Sequence, residues 1–199
     1  MSRLDEMIRE MCPAGVDYLP LSRVATIERG GNLQKKDLQD DGVPAVHYGQ
    51  IYTRFGLFAD RSFSFVSPSV AVKQRMAAPG AVVMAVTSET LEDVCSCVGW
   101  LGMEDIAVSG HTAIITPNPA LITTKYLVYW FQSQEFRLMK RRLAHGTKVI
   151  EVTPSDLETI QIPIPPLPIQ QEIVRILDTF TELVAELEAE LEARKKQYE

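Results

Sequence analysis

No apolar run in this 199-residue sequence is longer than AVVMAV, Ala81 to Val86, whereas a membrane-spanning helix needs about 20 such residues. The opening MSRLDEMIRE is polar and carries no secretory apolar core, so neither a membrane span nor export is expected and the sequence reads as cytoplasmic. Cysteine is scarce and odd in number: Cys12, Cys95 and Cys97, with no histidine at ligand spacing to suggest zinc. Free, buried thiols are the expectation, with Cys95 and Cys97 on one face of a strand. Histidine is scarcer in effect, because His47, His111 and His145 sit in unlike contexts, a distribution more usual for structural imidazoles than for a catalytic set. Positive charge is not in excess either, the formal net charge being -6.

The distribution of that charge matters more than its sum. Residues 1 to 166 hold 16 basic and 18 acidic side chains, whereas the stretch from Leu167 onward holds four basic against eight acidic. The head is near neutral, and the handle, rich in Glu182, Glu186, Glu188, Glu190 and Glu192, would be repelled by phosphate. Any nucleic-acid contact must therefore come from basic clusters on the head. With 46% apolar and 23% charged residues, the composition is that of an ordinary soluble domain.

Catalytic signatures are also missing. There is no G-x-x-x-x-G-K-[ST] to surround a phosphate, and no G-x-G-x-x-G, H-E-x-x-H or G-x-S-x-G. The acidic pairs Asp40–Asp41 and Glu92–Asp93 fall in polar stretches where carboxylates are ordinarily solvated. The tetrapeptide NPAL, Asn118 to Leu121, lacks the aromatic that DNA amino-methyltransferases stack on a flipped base. Neither catalysis, cofactor nor metal is expected of this chain alone.

What is present is a long terminal helix. Pro163, Pro165, Pro166 and Pro168 punctuate an extended approach, and Pro168 suits a first helical position, where its missing N–H is no loss. No Pro or Gly follows. Apolar residues then recur at Ile173, Leu177, Phe180, Val184, Leu187 and Leu191, a heptad seam. Ile169, Ile176 and Leu183 widen it on one side. At about 1.5 Å per residue the stretch from Pro168 to Glu199 extends roughly 48 Å, more than a small domain is wide. Part of it must project, and so broad an apolar stripe requires a partner helix. The alternative is a terminal helix folded back on its own domain. The seam runs on through Arg194 and Tyr198 with no cap behind it, as in a helix that is cut off or that continues in a longer parent chain.

Upstream, Leu4, Met7, Ile8 and Met11 have helical spacing closed by Pro13 and Gly15. Strands are predicted at Val24 to Glu28, through VPAVHYGQIY, along GLFADRSFSFV with its alternating Phe63 and Phe65, at Val82 to Val86, and in VCSCVGWLG and DIAVSGHTAIITP. Beyond Pro119 the period changes to three or four, marking one or two helices between Tyr126 and Leu143. A Gly turn, a short strand and a helical turn that Thr153 or Ser155 can cap complete the head. Strands first and helices last suggest an α+β fold with a curved, mostly antiparallel sheet at residues 1–162, then a coiled-coil helix at 163–199.

At IPIPPLPIQQEIVRILD, Ile162 to Asp178, the chain closely resembles the specificity subunit of type I restriction-modification systems, in which a PLPxQxxI-like segment opens the helix after each target recognition domain. CPAGVDYLPLSRVATIERGG, Cys12 to Gly31, is similar to the CPxGVxxxxLxxVxxIxxG opening of that family. GVPAVHYGQI, Gly42 to Ile51, resembles its xIPxIxxGDI segment, and Arg142 to Pro168 its GT-containing turn. The resemblance covers nearly the whole chain and is weakest at the centre. It implies a DNA-binding specificity subunit without catalysis, cofactor or metal, docked by modification and restriction subunits that carry methyl transfer and ATP-driven cleavage. Complete subunits of the family carry two recognition domains and two helices, whereas this chain has one of each. A half-length subunit and a fragment both fit, and either would close its seam as an antiparallel two-fold dimer. The two heads would then sit on the order of a dozen base pairs apart.

Base readout needs donors and acceptors, and phosphate anchoring needs Lys or Arg. The head loops supplying both hold Asn32, Gln34, Lys35 and Lys36; Tyr48, Gln50, Tyr52 and Arg54; Lys73, Gln74 and Arg75; and Thr147 with Lys148, joined by Ser88 and His111. Two other readings compete: an assembly module whose head reads no DNA, and a metal-dependent nuclease, against which stands the lack of an acidic cluster at metal-site spacing.

Overall fold

A computed structural model describes residues 2–198. The chain begins with α1 (Arg3–Met11), β1 (Tyr18–Pro20), α2 (Leu21–Val24), β2 (Ala25–Arg29), β3 (Val43–Val46), α3 (Tyr48–Thr53) and β4 (Phe58–Ala59). It continues with β5 (Ser64–Val66), α4 (Pro68–Ala71), β6 (Arg75–Ala77), β7 (Val82–Ala85), β8 (Thr87–Ser88), β9 (Cys97–Trp100), β10 (Ile106–Val108) and β11 (Thr112–Pro117). After these come α5 (Thr124–Trp130), α6 (Gln134–Leu143), β12 (Ile150–Glu151), α7 (Pro154–Glu158), β13 (Gln161–Pro163) and α8 (Leu167–Tyr198).

Five strands form one sheet in the order β2-β11-β7-β9-β4, and four form a second in the order β5-β3-β10-β6. The run VVMA of β7 explains how both are held. Its alternate side chains point to opposite faces, Val82 and Met84 into one core and Val83 and Ala85 into another. A strand buried on both sides has no polar alternation to show. On the first face, α2, α5, α6 and α7 contribute Leu21, Leu127, Phe136 and Leu157. On the second, Val83, Val98 and Ile114 meet Val46, Ile106 and Val108 of the smaller sheet. Among the described residues, antiparallel pairing dominates and only β3 with β10 and β4 with β9 run parallel. The mixed, mostly antiparallel architecture with a long last helix is the one expected, with two packed sheets and two short ribbons, β1-β13 and β12-β8, where one curved sheet was expected.

Several local expectations are corrected. VPAVHYGQIY is a strand only to Val46, because His47 then starts a helix: its Nδ1 accepts from the Gly49 N–H at 3.4 Å, and Gln50 Oε1 accepts from the His47 N–H at 2.9 Å. Two reciprocal caps outweigh the β preference of Tyr48, Ile51 and Tyr52. DIAVSGHTAIITP is two strands turned at Ser109 and Gly110. Near Phe63, only Ser64–Val66 is a strand, with Ser64 and Val66 inward, Phe63 exposed and Phe65 half-buried. Cys95 and Cys97 are both buried and free, but Cys95 has φ 66 and lies ahead of β9, so the two do not share a strand face. Thr153 caps α7, and Ser155 lies inside it.

The root of α8 is embedded in the head. Ile169, Gln170 and Glu172 are buried. Gln170 Nε2 donates to the carbonyls of Leu121 and Pro165 at 2.8 and 2.9 Å, and its Oε1 accepts from the Thr123 N–H at 3.0 Å. Ile173 packs against the head's larger core, so this first residue of the heptad seam is already engaged within the chain. Asp178 closes the attachment, taking a 2.7 Å ion pair from Lys125 and a 2.7 Å hydrogen bond from the Tyr129 hydroxyl. From Thr179 to Gln197 every residue of the helix is exposed, a free length of roughly 28 Å. Phe180, Val184, Leu187 and Leu191 keep 61%, 52%, 55% and 54% of their surface in solvent. The expected projection is thus present from Phe180 onward.

Candidate nucleic-acid interface

The parallel pairing of β3 with β10 sets Val46 beside Val108, so the two chain segments that follow leave the sheet side by side. Ser109 stitches them together: its N–H donates to the Val46 carbonyl at 3.3 Å, and its Oγ accepts from the Tyr48 N–H at 3.0 Å. A third segment crosses beneath, Gly31 donating its N–H to the Val108 carbonyl at 3.0 Å. Only glycine fits there. A Cβ on Gly30 would lie 2.0 Å from the Ser109 carbonyl oxygen, and one on Gly31 would lie 2.6 Å from the Arg75 nitrogen.

These crossings build a cleft of about 520 Å³ lined by Asn32, Gln34, Lys35, His47, Tyr48 and His111, with Gly31, Leu33 and Gly110. It is continuous through Lys35, His47 and Tyr48 with a second hollow that adds Gln50, Arg54 and Ser64. The Tyr48 ring packs against both imidazoles, that of His47 at 4.5 Å between centroids and that of His111 at 4.9 Å. The His111 Nδ1 is 3.0 Å from the Thr87 hydroxyl, and Arg29 donates to the Gly110 carbonyl at 2.9 Å while pairing with Glu151 at 2.7 Å. The ribbon of β8 and β12 is thereby tied to the cleft. No carboxylate lines either hollow.

Most of the residues singled out in the sequence converge here. Asn32, Gln34, Lys35, Tyr48, Gln50, Arg54 and His111 line the two hollows, and Lys36 is exposed on the same loop as Lys35. Lys73, Gln74 and Arg75 lie behind Gly31. Lys73 and Arg75 are exposed, with Arg75 3.8 Å from Glu28, while the side-chain Oε1 of Gln74 is buried without a partner. Ser88 is in the ribbon and accepts from the Thr90 N–H at 3.3 Å. Thr147 and Lys148 are exposed on the turn before β12 and line neither hollow.

Two of the candidates support the cleft without presenting their polar groups to it. Gln50 uses both ends of its amide internally, accepting from His47 N–H and donating to the Ser64 hydroxyl at 2.7 Å. The Tyr52 hydroxyl donates to the Thr87 carbonyl at 2.7 Å, and burial pushes its pKa up. Conversely, His47, Arg29 and Ser109 were not candidates. The available signal for His47 was its place directly before Tyr48 and three residues before Gln50. Burial, followed by the nearby His111 and Lys35, holds the His47 imidazole below its ordinary value, favouring the neutral ring. Among the described residues Lys35, Lys36, Arg54, Lys73 and Lys148 form no ion pair, and no group of three or more metal-ligating side chains occurs.

Comparison with known proteins places this geometry in a context. The family described as "Type I restriction modification DNA specificity domain" matches residues 13–194. The chain is 26% identical over 190 residues to the type I restriction enzyme StySPI specificity subunit of Salmonella potsdam, covering 94% of the chain and 40% of that subunit. It is 28% identical over 209 residues to the EcoR124I/EcoR124II specificity subunit of Escherichia coli, covering all of the chain and 46% of the relative. In fold it is similar to the HsdS subunit of Thermoanaerobacter tengcongensis, with a TM-score of 0.64 at 21% identity over 94% of this chain and 44% of the other. The chain thus spans less than half the length of these relatives.

Proposed function

The chain belongs to the type I restriction-modification DNA specificity family, and from that premise we propose that its head, residues 1–162, reads one half of a split site in double-stranded DNA. The observation that carries this reading is the cleft at the ends of β3 and β10. It gathers hydrogen-bonding side chains, Asn32, Gln34 and Tyr48, with the unpaired cations Lys35 and Arg54, and it excludes carboxylates. Donors and acceptors specify bases, and free cations release counterions from phosphates. The exposed Lys36, Lys73, Arg75, Thr147 and Lys148 extend the surface.

Residues 163–199 act as spacer and joint. The apolar edge from Phe180 to Leu191 is covered by the same edge of a second copy, antiparallel, which sets two heads at a fixed separation along the duplex. Leu177 and Ile173 continue this seam into the root, where Ile173 is shared with the head. The acidic face of the helix stays off the DNA. In this reading the protein is a non-catalytic cytoplasmic subunit without cofactor, and modification and restriction subunits dock on it to carry out methyl transfer and cleavage.

A second reading is an assembly module that recruits those subunits without reading sequence. The internal use of Gln50 and Tyr52 favours it, since two polar side chains near the cleft are committed to the fold. Selection from a pool of random duplexes, with modification subunits present, separates the two. A sequence reader enriches a split sequence with an unread gap; an assembly module enriches none.

A further inference from the structure

Within the cleft, two imidazole edges are left over. His47 uses Nδ1 to cap α3, and His111 sets Nδ1 against the Thr87 hydroxyl, so the Nε2 of each ring has no hydrogen-bond partner among the described residues. Both rings pack against Tyr48 and line the same hollow as Lys35. We propose that this is a seat for one phosphate group, held by Lys35 and by the Nε2 edges of His47 and His111. The proposal deepens the reading of the cleft as a nucleic-acid surface by naming which residues take a backbone phosphate, and it adds His47, which carries no base information.

The chemistry favours an anion over any other occupant. Three groups that are or can become cationic converge, from the loop after β2, from the start of α3 and from the turn between β10 and β11. Arg54 adds a fourth from the adjoining hollow. The charges packed around them are already committed or point to the same sign: Arg29 is paired with Glu151, and Asp37 accepts from the Gln34 N–H at 2.9 Å. In the free protein burial, then the nearby His111 and Lys35, disfavours the charged form of His47. A phosphate reverses that field, so its arrival draws a proton onto His47. Duplex binding is therefore expected to tighten as pH falls from about 8 to about 6, by up to roughly tenfold in all for a one-unit rise in the His47 midpoint.

The test follows the His47 ring protons by NMR, assigned with a His47→Gln variant, in the free chain, with inorganic phosphate, and with a 20-base-pair duplex of arbitrary sequence at low salt. The expected result is a titration midpoint about one unit higher with the duplex, a smaller rise with inorganic phosphate, and loss of both rises in Lys35→Gln. Because His47→Gln removes a helix cap, the exposed Lys35→Gln and the His111→Gln variants carry the affinity comparison, each weakening duplex binding most at low pH. A rise with inorganic phosphate and none with the duplex would keep the phosphate seat and remove the nucleic-acid reading of the cleft. Duplex binding with an unmoved His47 and no effect of either variant would overturn the seat and leave the wider reading standing. No movement with either probe would overturn the seat as well.

Discussion

Replacing Gln170 with alanine tests how the long helix is fixed to the head. The side chain is fully buried and makes three hydrogen bonds to two different segments, to Leu121 and Thr123 ahead of α5 and to Pro165 ahead of α8. Alanine would strand two carbonyls and one N–H away from water. At about 1 kcal/mol net for each bond, with a further contribution from the emptied volume, the loss comes to roughly 3–4 kcal/mol. That is a large share of the ~5–15 kcal/mol that holds an ordinary domain together. Gln170→Glu keeps the volume and the acceptor but, when ionised, cannot donate to either carbonyl, so at neutral pH it should cost at least as much as alanine. Urea unfolding followed by the fluorescence of Trp100 and Trp130 should show the midpoint of Gln170→Ala moved down by about 1.5–2 M at unchanged slope, for a slope near ~2 kcal/mol/M. A loss below about 1 kcal/mol would refute the claim that this amide fastens the root.

Three other outcomes follow from the same geometry. In the proposed dimer, Leu187→Asp places two carboxylates in the seam and removes about 1 kcal/mol of apolar burial per chain, so light scattering should show dimer affinity falling by more than about 100-fold; an intact dimer would mean the seam is not the joint. Lys35→Ala with Lys36→Ala should weaken duplex binding for all sequences and flatten its salt slope by about two, and unchanged affinity would remove both from the interface. Burial acts to raise the Asp178 carboxyl, but its bonds to Lys125 and Tyr129 outweigh that and hold it below 3.8. Its stabilisation is therefore present at neutral pH and is lost as pH falls below 3.8 through the lowered folded value, so the stability gap to Asp178→Asn should close on acidification. A gap that persists in acid would assign the effect to something other than the carboxylate.

The seam was legible from spacing alone because Phe180 to Leu191 has no competing environment, and a heptad in free helix keeps its simple meaning. Ile173 has the same spacing, yet its surroundings are decided by the head's core, which no local pattern reports. Gln170 shows the same limit for polarity: a glutamine on a helix reads as solvated until the carbonyls of Leu121 and Pro165 are folded around it. At the cleft, loops rich in amides and lysines were enough to bring Asn32, Gln34, Lys35 and His111 to attention. Which of those amides face outward was not legible, because Gln50 and Tyr52 find their partners, Ser64 and Thr87, across long stretches of chain. His47 was read as a structural imidazole and not as a site residue, since its capping role depends on the break after Val46.

The fastening at Gln170, Asp178 and Tyr129 has a mechanical corollary. With roughly 28 Å of helix unsupported beyond it, a tilt of about 10° at this joint would sweep the far end by about 5 Å, more than the ~3.4 Å that separates neighbouring base pairs. In the proposed dimer, the precision of the spacing between two heads is then set by a few tight bonds at the base of the lever. Changes in gap length should be sought there as well as along the shaft.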